Sequence, residues 1–162
     1  MSGYWMERGD VFGSVSTVLR RYGLPAECLE LEVTEDEVMH LNAAGVQLLD
    51  RLSEVGVGLA IDDFGTGYSS LLRLKRMPVN KLKIDRGFVS DLPGSDSDSA
   101  MARAIIALGK SLQLKVIAEG VETGEQEALL RGLGCDMGQG YLFNRPLPAD
   151  EIEKLLGEPA HD

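Results

Sequence analysis

The sequence has 162 residues, 44% of them hydrophobic and 26% charged, with a formal net charge of −10. A chain of this length and apolar content buries one core, so we expect one domain. The negative charge argues against a surface that holds DNA or RNA by general electrostatic attraction. No apolar run is long enough to span a membrane and no signal-peptide pattern is found, which predicts a cytoplasmic protein.

Helical and extended patterns alternate along the chain. An amphipathic helix is predicted over Val11–Tyr22, a strand over 29–34, a long helix over 37–55 and a strand that ends at Asp62-Asp63. The following segments are predicted as a helix at about 69–76, a strand at 81–85, a polar loop at 91–99, a helix at 101–112 and a strand at 115–119. The chain continues with a helix at 123–133, a strand at 137–141 and a last helix at 149–156.

Five predicted strands, each followed by a helix, indicate an α/β fold with a parallel sheet. Both a (β/α) barrel and a doubly wound sheet have this pattern. Polar side chains at the strand ends favour the barrel, because barrel enzymes gather their chemistry at the carboxyl ends of the strands. These side chains are Glu32 and Glu35, Asp62 and Asp63, Lys83 and Asp85, Glu119 and Glu122, and Gln139.

The most informative of these ends is the run from Ile61 to Ser70, where Asp62 and Asp63 follow an apolar stretch and precede a Gly-x-Gly turn. Adjacent carboxylates repel each other, and a divalent cation is the simplest group that stabilises both. The pair alone is also compatible with a helix N-cap. Each of the other polar residues has an ordinary alternative as a cap, turn or surface residue. Their recurrence at five strand ends favours a metal-assisted acid/base site.

Five segments of the chain resemble, in order, the successive motifs of the EAL-domain cyclic di-GMP phosphodiesterases. They are Glu32-Val33-Thr34-Glu35, the run from Asp62 to Ser70, the run from Lys83 to Val89, the run from Ile117 to Thr123, and the run from Gln139 to Pro148. The resemblance covers nearly the whole chain. It implies a triosephosphate-isomerase-like barrel whose mouth holds two Mg²⁺ or Mn²⁺ ions and binds cyclic di-GMP.

The resemblance also implies a role for individual residues. Glu32, Asp62 and Asp63 are expected as metal ligands, Lys83 as the residue that polarises the attacking water, and Glu119 as a ligand or base. Glu122 is expected to support its strand end, and Gln139 to contact either the water of the second metal ion or the ligand. Phe143 and Pro146 are expected to lie at the substrate or next to the residues that contact it. Glu35 is expected to anchor a loop near the dimer interface, formed by Phe64, Gly65, Thr66, Gly67, Tyr68, Ser69 and Ser70. The implied chemistry is an in-line displacement assisted by two metal ions.

Two family ligands have no counterpart among these motifs. One is the glutamate of the Glu-Ala-Leu signature, a motif that is expected to be absent from this chain. The other is an asparagine in an Asn-Leu-Ser-like run that ends a strand in the family. Met1-Ser2-Gly3 resembles the part of that run that follows the asparagine. Residues 1–162 are therefore expected to form a partial barrel of about five strands, which lacks the first strands and exposes two sheet edges. We expect self-association into a homodimer or larger species.

Three functions are consistent with this sequence. The first is a cyclic di-GMP phosphodiesterase domain that is weakly active or inactive in this truncated form. The second is a degenerate EAL domain that acts as a cyclic di-GMP receptor or a protein-interaction module. The third is an unrelated metal-dependent barrel enzyme such as an aldolase or an enolase-like lyase, which the five ordered motifs disfavour.

Overall fold

The computed structural model describes residues 10–67 and 70–157. Its centre is a five-stranded sheet in which chain neighbours are also sheet neighbours, in the order β1-β2-β3-β4-β5. The strands are Glu30–Thr34 (β1), Gly58–Phe64 (β2), Lys81–Ile84 (β3), Lys115–Glu119 (β4) and Met137–Gln139 (β5). Every strand pair is parallel, so all carboxyl ends lie at one edge of the sheet. The predicted parallel α/β architecture is confirmed.

Helices follow each of the five strands. The described helices are Val11–Tyr22 (α1), Glu35–His40 (α2), Ala43–Glu54 (α3), Leu71–Leu74 (α4), Asp96–Ser111 (α5), Gly124–Leu133 (α6) and Ala149–Gly157 (α7). Short 3-10 turns occur at Ala26–Cys28 and Arg86–Phe88. None of the described helices is long and apolar enough to cross a membrane.

The single helix predicted over 37–55 is wrong, because the segment forms two helices. Thr34, the last residue of β1, accepts a hydrogen bond from the Glu37 amide and starts α2 without a connecting loop. The chain leaves the helical conformation at Leu41, and the Asn42 side chain accepts a hydrogen bond from the Gly45 amide at 2.9 Å to start α3. Two separate N-caps therefore break what the apolar periodicity alone presents as one helix.

Other boundaries also differ from those predicted. The polar loop expected over 91–99 is shorter, because Ser95 caps the Asp98 amide and α5 already begins at Asp96. The α4 helix is a single turn, and β5 ends two residues before the predicted end at Tyr141. The polar residues at the start of α5 stabilise the helix in two ways. The cap residue accepts a hydrogen bond from a free backbone amide, and the acidic side chains of the first turn interact favourably with the positive end of the helix dipole.

The core lies between the sheet and the helices packed on it, and its largest buried side chains come from β2, β3 and α3. Within the described residues the sheet is open, since β1 pairs with β2 alone and β5 with β4 alone. The predictions made for Met1-Ser2-Gly3, Tyr68 and Ser69 lie outside the described residues. The oligomeric state stays a prediction.

Candidate active site

Lys83 is the centre of the candidate site. Its side chain is buried on β3, and its ammonium nitrogen lies 2.6 Å from Glu32 Oε1, 2.7 Å from Glu119 Oε1 and 3.0 Å from Asp62 Oδ1. These carboxylates come from β1, β4 and β2, so three strands direct acidic groups at one lysine on a fourth. A buried ammonium group requires such compensation.

The charge of Lys83 is strongly favoured in this environment. Burial by itself lowers the pKa of a lysine, but hydrogen bonds with Glu119 and Glu32 and the neighbouring Asp62 carboxylate outweigh it, and the net pKa is raised. Lys83 is therefore protonated throughout the neutral range and is not available as a general base. It stabilises negative charge and orients the carboxylates around it.

A bulge in β2 presents both aspartates at the same strand end. Ile61 pairs with Leu82 and Phe64 pairs with Ile84, so β2 contains one residue more than β3 between these pairs. Asp63 has a left-handed backbone with φ of 53°, a conformation that aspartate tolerates better than most residues. The bulge explains how consecutive side chains of a strand, which normally alternate between faces, approach one site.

The cluster fits a divalent cation. Carboxylate oxygens of Asp62, Asp63 and Glu119 all lie within 4.8 Å of one another. Asp62 Oδ1 is buried and accepts no hydrogen bond of good geometry, although it lies within ion-pair distance of Lys83. A buried carboxylate oxygen beside two further carboxylates is the all-oxygen environment that Mg²⁺, Mn²⁺ and Ca²⁺ use.

Two carboxylates of the cluster resist ionisation. Burial, followed by the charges of Asp62 and Asp85 and a hydrogen bond with Asp85, raises the pKa of Asp63. Burial also raises the pKa of Glu119, and the opposing effect of Lys83 does not fully offset it. Glu32, Asp62, Asp63 and Glu119 carry more negative charge than one ammonium group compensates, so the site favours an additional cation.

Glu35 is buried and holds the turn that follows β2. Its Oε2 accepts hydrogen bonds from the amides of Gly65 at 2.8 Å and Gly67 at 3.3 Å. Gly65 has φ of 103°, and a Cβ there would lie 2.7 Å from the Phe88 ring, so the turn requires glycine at this position. Glu35 thus connects the start of α2 to the loop of the Asp62-Asp63 motif.

We expect Glu35→Ala to lower the free energy of unfolding by about 2 kcal/mol, because two charge-assisted hydrogen bonds are lost. Glu35→Gln keeps an acceptor oxygen, so its loss should be smaller. Urea unfolding measures both, and hydrogen exchange at the Gly65 amide should accelerate in the alanine variant. Asp36→Ala, at the neighbouring exposed position, is the control. Equal stability of Glu35→Ala and Asp36→Ala would contradict the anchoring role.

The remaining predicted residues lie around the cluster rather than in it. Glu122 is exposed and pairs with Arg86 at 3.5 Å, beyond the end of β4. Gln139 ends β5 opposite Glu119 with an exposed side chain. Phe143 and Pro146 are also exposed, and the Phe143 ring lies against Gly138. Gln139 and Pro146 line one cavity beyond the end of β5, whereas Phe143 lines another with Leu130 and Arg131 of α6.

The structure connects two further residues to the site, of which Asp85 was predicted only as a polar residue at a strand end and Gln126 was not predicted. Asp85 hydrogen-bonds to Asp63 and caps the turn that follows β3 through the Gly87 amide at 2.8 Å. Gln126 is buried in α6 and hydrogen-bonds to the loops that follow both β3 and β4. The Thr-x-x-Gln pattern of Thr123 and Gln126 signals a capping box, but the contact to the β3 loop has no sequence signature.

Comparison with known proteins identifies the family. The sequence model of the EAL domain matches residues 2–146. The chain belongs to the EAL domain family. The cyclic di-GMP phosphodiesterase NbdA of Pseudomonas aeruginosa is 52% identical over 149 residues, which are 92% of this chain and 19% of that protein. The bifunctional diguanylate cyclase/cyclic di-GMP phosphodiesterase MucR of the same species is 51% identical over 86% of this chain and 20% of that protein.

Solved EAL structures have the same fold. The PaMucR phosphodiesterase in complex with c-di-GMP superposes with a TM-score of 0.89 at 47% identity, over 94% of this chain and 62% of that chain. A manganese/cy-diGMP complex of Klebsiella pneumoniae BlrP1 gives 0.79 at 36% identity, over 87% of this chain and 36% of that chain. The present chain spans about a fifth of the length of NbdA and MucR.

A literal Glu-Ala-Leu tripeptide does occur in this EAL chain, but not at the strand-end edge. Glu127, Ala128 and Leu129 lie within α6, and Glu127 pairs with Arg131 one helical turn later at 2.6 Å. Because α6 follows β4 and packs beside the sheet, this glutamate is not one of the carboxylates around Lys83. The tripeptide is an ordinary part of an amphipathic helix.

Proposed function

We propose that the strand ends of this chain form the main part of a metal-dependent cyclic di-GMP phosphodiesterase site. The observation that carries the proposal is the convergence of Glu32, Asp62 and Glu119 on Lys83, with Asp63 beside them. Membership of the EAL family and the phosphodiesterase names of close relatives support the choice of substrate.

Asp62, Asp63 and Glu119 are the residues that would hold a divalent cation, either Mg²⁺ or Mn²⁺. Glu32 lies beside this group, because it is paired with the same Lys83 ammonium group. When bound, such a cation supplies a water of lowered pKa and positive charge beside the phosphodiester. This charge matters for substrate binding, because the protein carries a net charge of −10 and the substrate is a dianion.

Two residues of the cluster have distinct tasks in the proposed hydrolysis. Lys83 remains protonated, keeps Glu119 and Asp62 in place and offsets charge that develops on the phosphate. Glu119, whose pKa is raised by burial, is the group suited to accept the proton of the attacking water. Water adds to one phosphorus, the bond from phosphorus to the 3′ oxygen breaks, and that oxygen takes up a proton. The product is the linear dinucleotide 5′-pGpG.

We further propose that these 162 residues turn over slowly by themselves. Three carboxylates approach one another within 4.8 Å in the described part of the chain, and the motifs of this chain lack the two further ligands, a glutamate and an asparagine, that the family resemblance implies. Weak metal binding lowers the occupancy of the reactive state. A chain that binds cyclic di-GMP and hydrolyses it slowly would serve as a receptor for the nucleotide.

The proposal is tested by incubating the purified chain with cyclic di-GMP and Mn²⁺ and separating the products by liquid chromatography. We expect Mn²⁺-dependent formation of 5′-pGpG, well below the rate of a complete EAL domain assayed in parallel, and none with EDTA. Lys83→Met should abolish the residual hydrolysis. Lys81→Met is the matched control, because Lys81 precedes Lys83 by two residues on β3 and pairs with Glu30, away from the cluster.

Other outcomes separate the alternatives. Nucleotide binding in calorimetry without any product favours the receptor function. The absence of both binding and hydrolysis contradicts the phosphodiesterase proposal and leaves an interaction module. Turnover equal to that of the complete domain contradicts the proposal that this ligand set is insufficient.

A further inference from the structure

Gln126 uses its entire side-chain amide in hydrogen bonds. Its Oε1 accepts from the amides of Glu122 at 2.7 Å and Thr123 at 3.0 Å, and its Nε2 donates to the carbonyl oxygens of Val89 and Ser90, both at 3.1 Å. Two donors and two acceptor positions are all that a glutamine side chain offers. The residue is 4% exposed, so water does not replace these partners.

A helix cap explains part of this network. Thr123 and Gln126 form a capping box at the start of α6, a common device that satisfies free amides of the first turn. The bonds to Val89 and Ser90 lie outside that device, since these residues precede Gln126 by 37 and 36 positions. They connect the loop after β3 to the loop after β4.

The segment that follows Glu119 is held on both sides. Arg86, in the loop after β3, packs over Gly120 so closely that a Cβ there would lie 2.5 Å from Arg86 Cγ. On the β5 side, the Val121 amide donates to the Gln139 carbonyl at 3.0 Å. Gln126 adds the only buried side-chain amide among the described residues that bonds to both strand-end loops.

We infer that Gln126 is a positioning residue of the site, which fixes the β4 strand end relative to β3 and thereby holds Glu119 against Lys83 and beside Asp62. The expected effect on metal binding rests on the proposed function. Glu119 Oε1 and Lys83 Nζ, which belong to these two strands, are 2.7 Å apart. Outer-shell hydrogen bonds of this kind set the direction of ligand groups, and their loss weakens metal binding.

Gln126→Glu separates positioning from capping. Glutamate serves equally in a capping box, so the bonds from Glu122 and Thr123 are retained, but in its ionised form both donors to Val89 and Ser90 are lost. Gln126→Met removes all four bonds at similar volume. Ser95→Ala, which removes the N-cap of the neighbouring helix α5, is the control for a general loss of stability.

Calorimetry with Mn²⁺ and amide hydrogen exchange are measured on all variants, well below their melting temperatures. We expect Gln126→Glu and Gln126→Met to weaken Mn²⁺ binding about 10-fold, with faster exchange near Glu119. Ser95→Ala should match the wild type in both. If Gln126→Met does not fold, Gln126→Glu decides the question. Wild-type affinity in Gln126→Glu would show a capping role alone and overturn the inference.

The exchange readout keeps this inference separate from the proposed function. If the wild type binds no Mn²⁺, the metal site fails, and exchange at 117–121 then decides the role of Gln126. Faster exchange there in Gln126→Glu, with no change in Ser95→Ala, supports the positioning role. Unchanged exchange overturns it.

Discussion

Lys83→Met is expected to lower the free energy of unfolding by about 3 kcal/mol at pH 8 in the presence of EDTA. The substitution keeps an unbranched side chain of similar length but leaves Glu32, Asp62 and Glu119 without the ammonium group that they share. Removing one partner of a buried ion pair is costly because the remaining charges are left uncompensated. Three carboxylates in this cluster share that cost.

The loss should shrink as the pH falls. The pKa values of Asp63 and Glu119 are already raised in the folded protein, and the charge of Lys83 opposes both shifts. Without Lys83 these pKa values rise further, so the folded state binds protons more readily than the unfolded state. The stabilisation from this proton binding is fully present at pH values below the pKa that these carboxyl groups have in the unfolded chain. It is lost as the pH rises through their higher pKa in the folded protein. The variant should therefore be closest to the wild type near pH 5.

Urea unfolding between pH 5 and pH 8 tests this prediction, with Lys81→Met as the control. Within the described part of the chain, Lys81 forms an ion pair with Glu30 alone, at 2.6 Å and nearer the start of the strand, so its loss should cost less than about 1 kcal/mol. Mn²⁺ should restore part of the stability of Lys83→Met, because a ligand that binds the folded state shifts the unfolding equilibrium. A pH-independent loss equal to that of Lys81→Met would refute the central role of Lys83.

The strands of this protein were predictable because each is a short segment, either apolar or alternating between polar and apolar residues, with polar residues at or just after its end. The β4 prediction, 115–119, agrees with the structure at both ends. Parallel pairing then places every carboxyl end at one edge, so the sequence also indicated which polar residues meet there. It did not indicate that Lys83 lies among carboxylates from three other strands, since this depends on side-chain depth and register.

The misplaced boundaries have a common physical cause. Thr34 is both the last residue of β1 and the cap of α2, and Ser95 begins α5 inside a run that reads as a polar loop. Capping side chains convert polar segments into helix starts without changing the hydrophobic pattern. Contacts between loops, such as that of Gln126 with Val89, depend on backbone positions far apart in sequence, which local patterns do not encode.

Asp63→Asn is expected to weaken Mn²⁺ binding about 100-fold, or about 2.7 kcal/mol, since loss of a ligand charge should cost at least as much as loss of an outer-shell partner. Asparagine tolerates the left-handed backbone of Asp63 and can donate a hydrogen bond to Asp85, so the bulge in β2 is preserved. Asp62→Asn should weaken binding similarly. Asp50→Asn, on exposed α3 surface, changes the net charge equally and should bind as the wild type does.

The same substitution should not destabilise the metal-free protein. Burial and neighbouring acidic groups raise the pKa of Asp63, so its ionised form opposes folding at pH 8, and a neutral amide removes that penalty. We expect Asp63→Asn to unfold at the same or a higher urea concentration in EDTA while it loses Mn²⁺ affinity in calorimetry. If Asp63 served the stability of the fold, its replacement would instead lower the urea concentration of unfolding and leave the Mn²⁺ affinity unchanged. Lower stability with unchanged Mn²⁺ affinity would identify Asp63 as structural and remove it from the metal site.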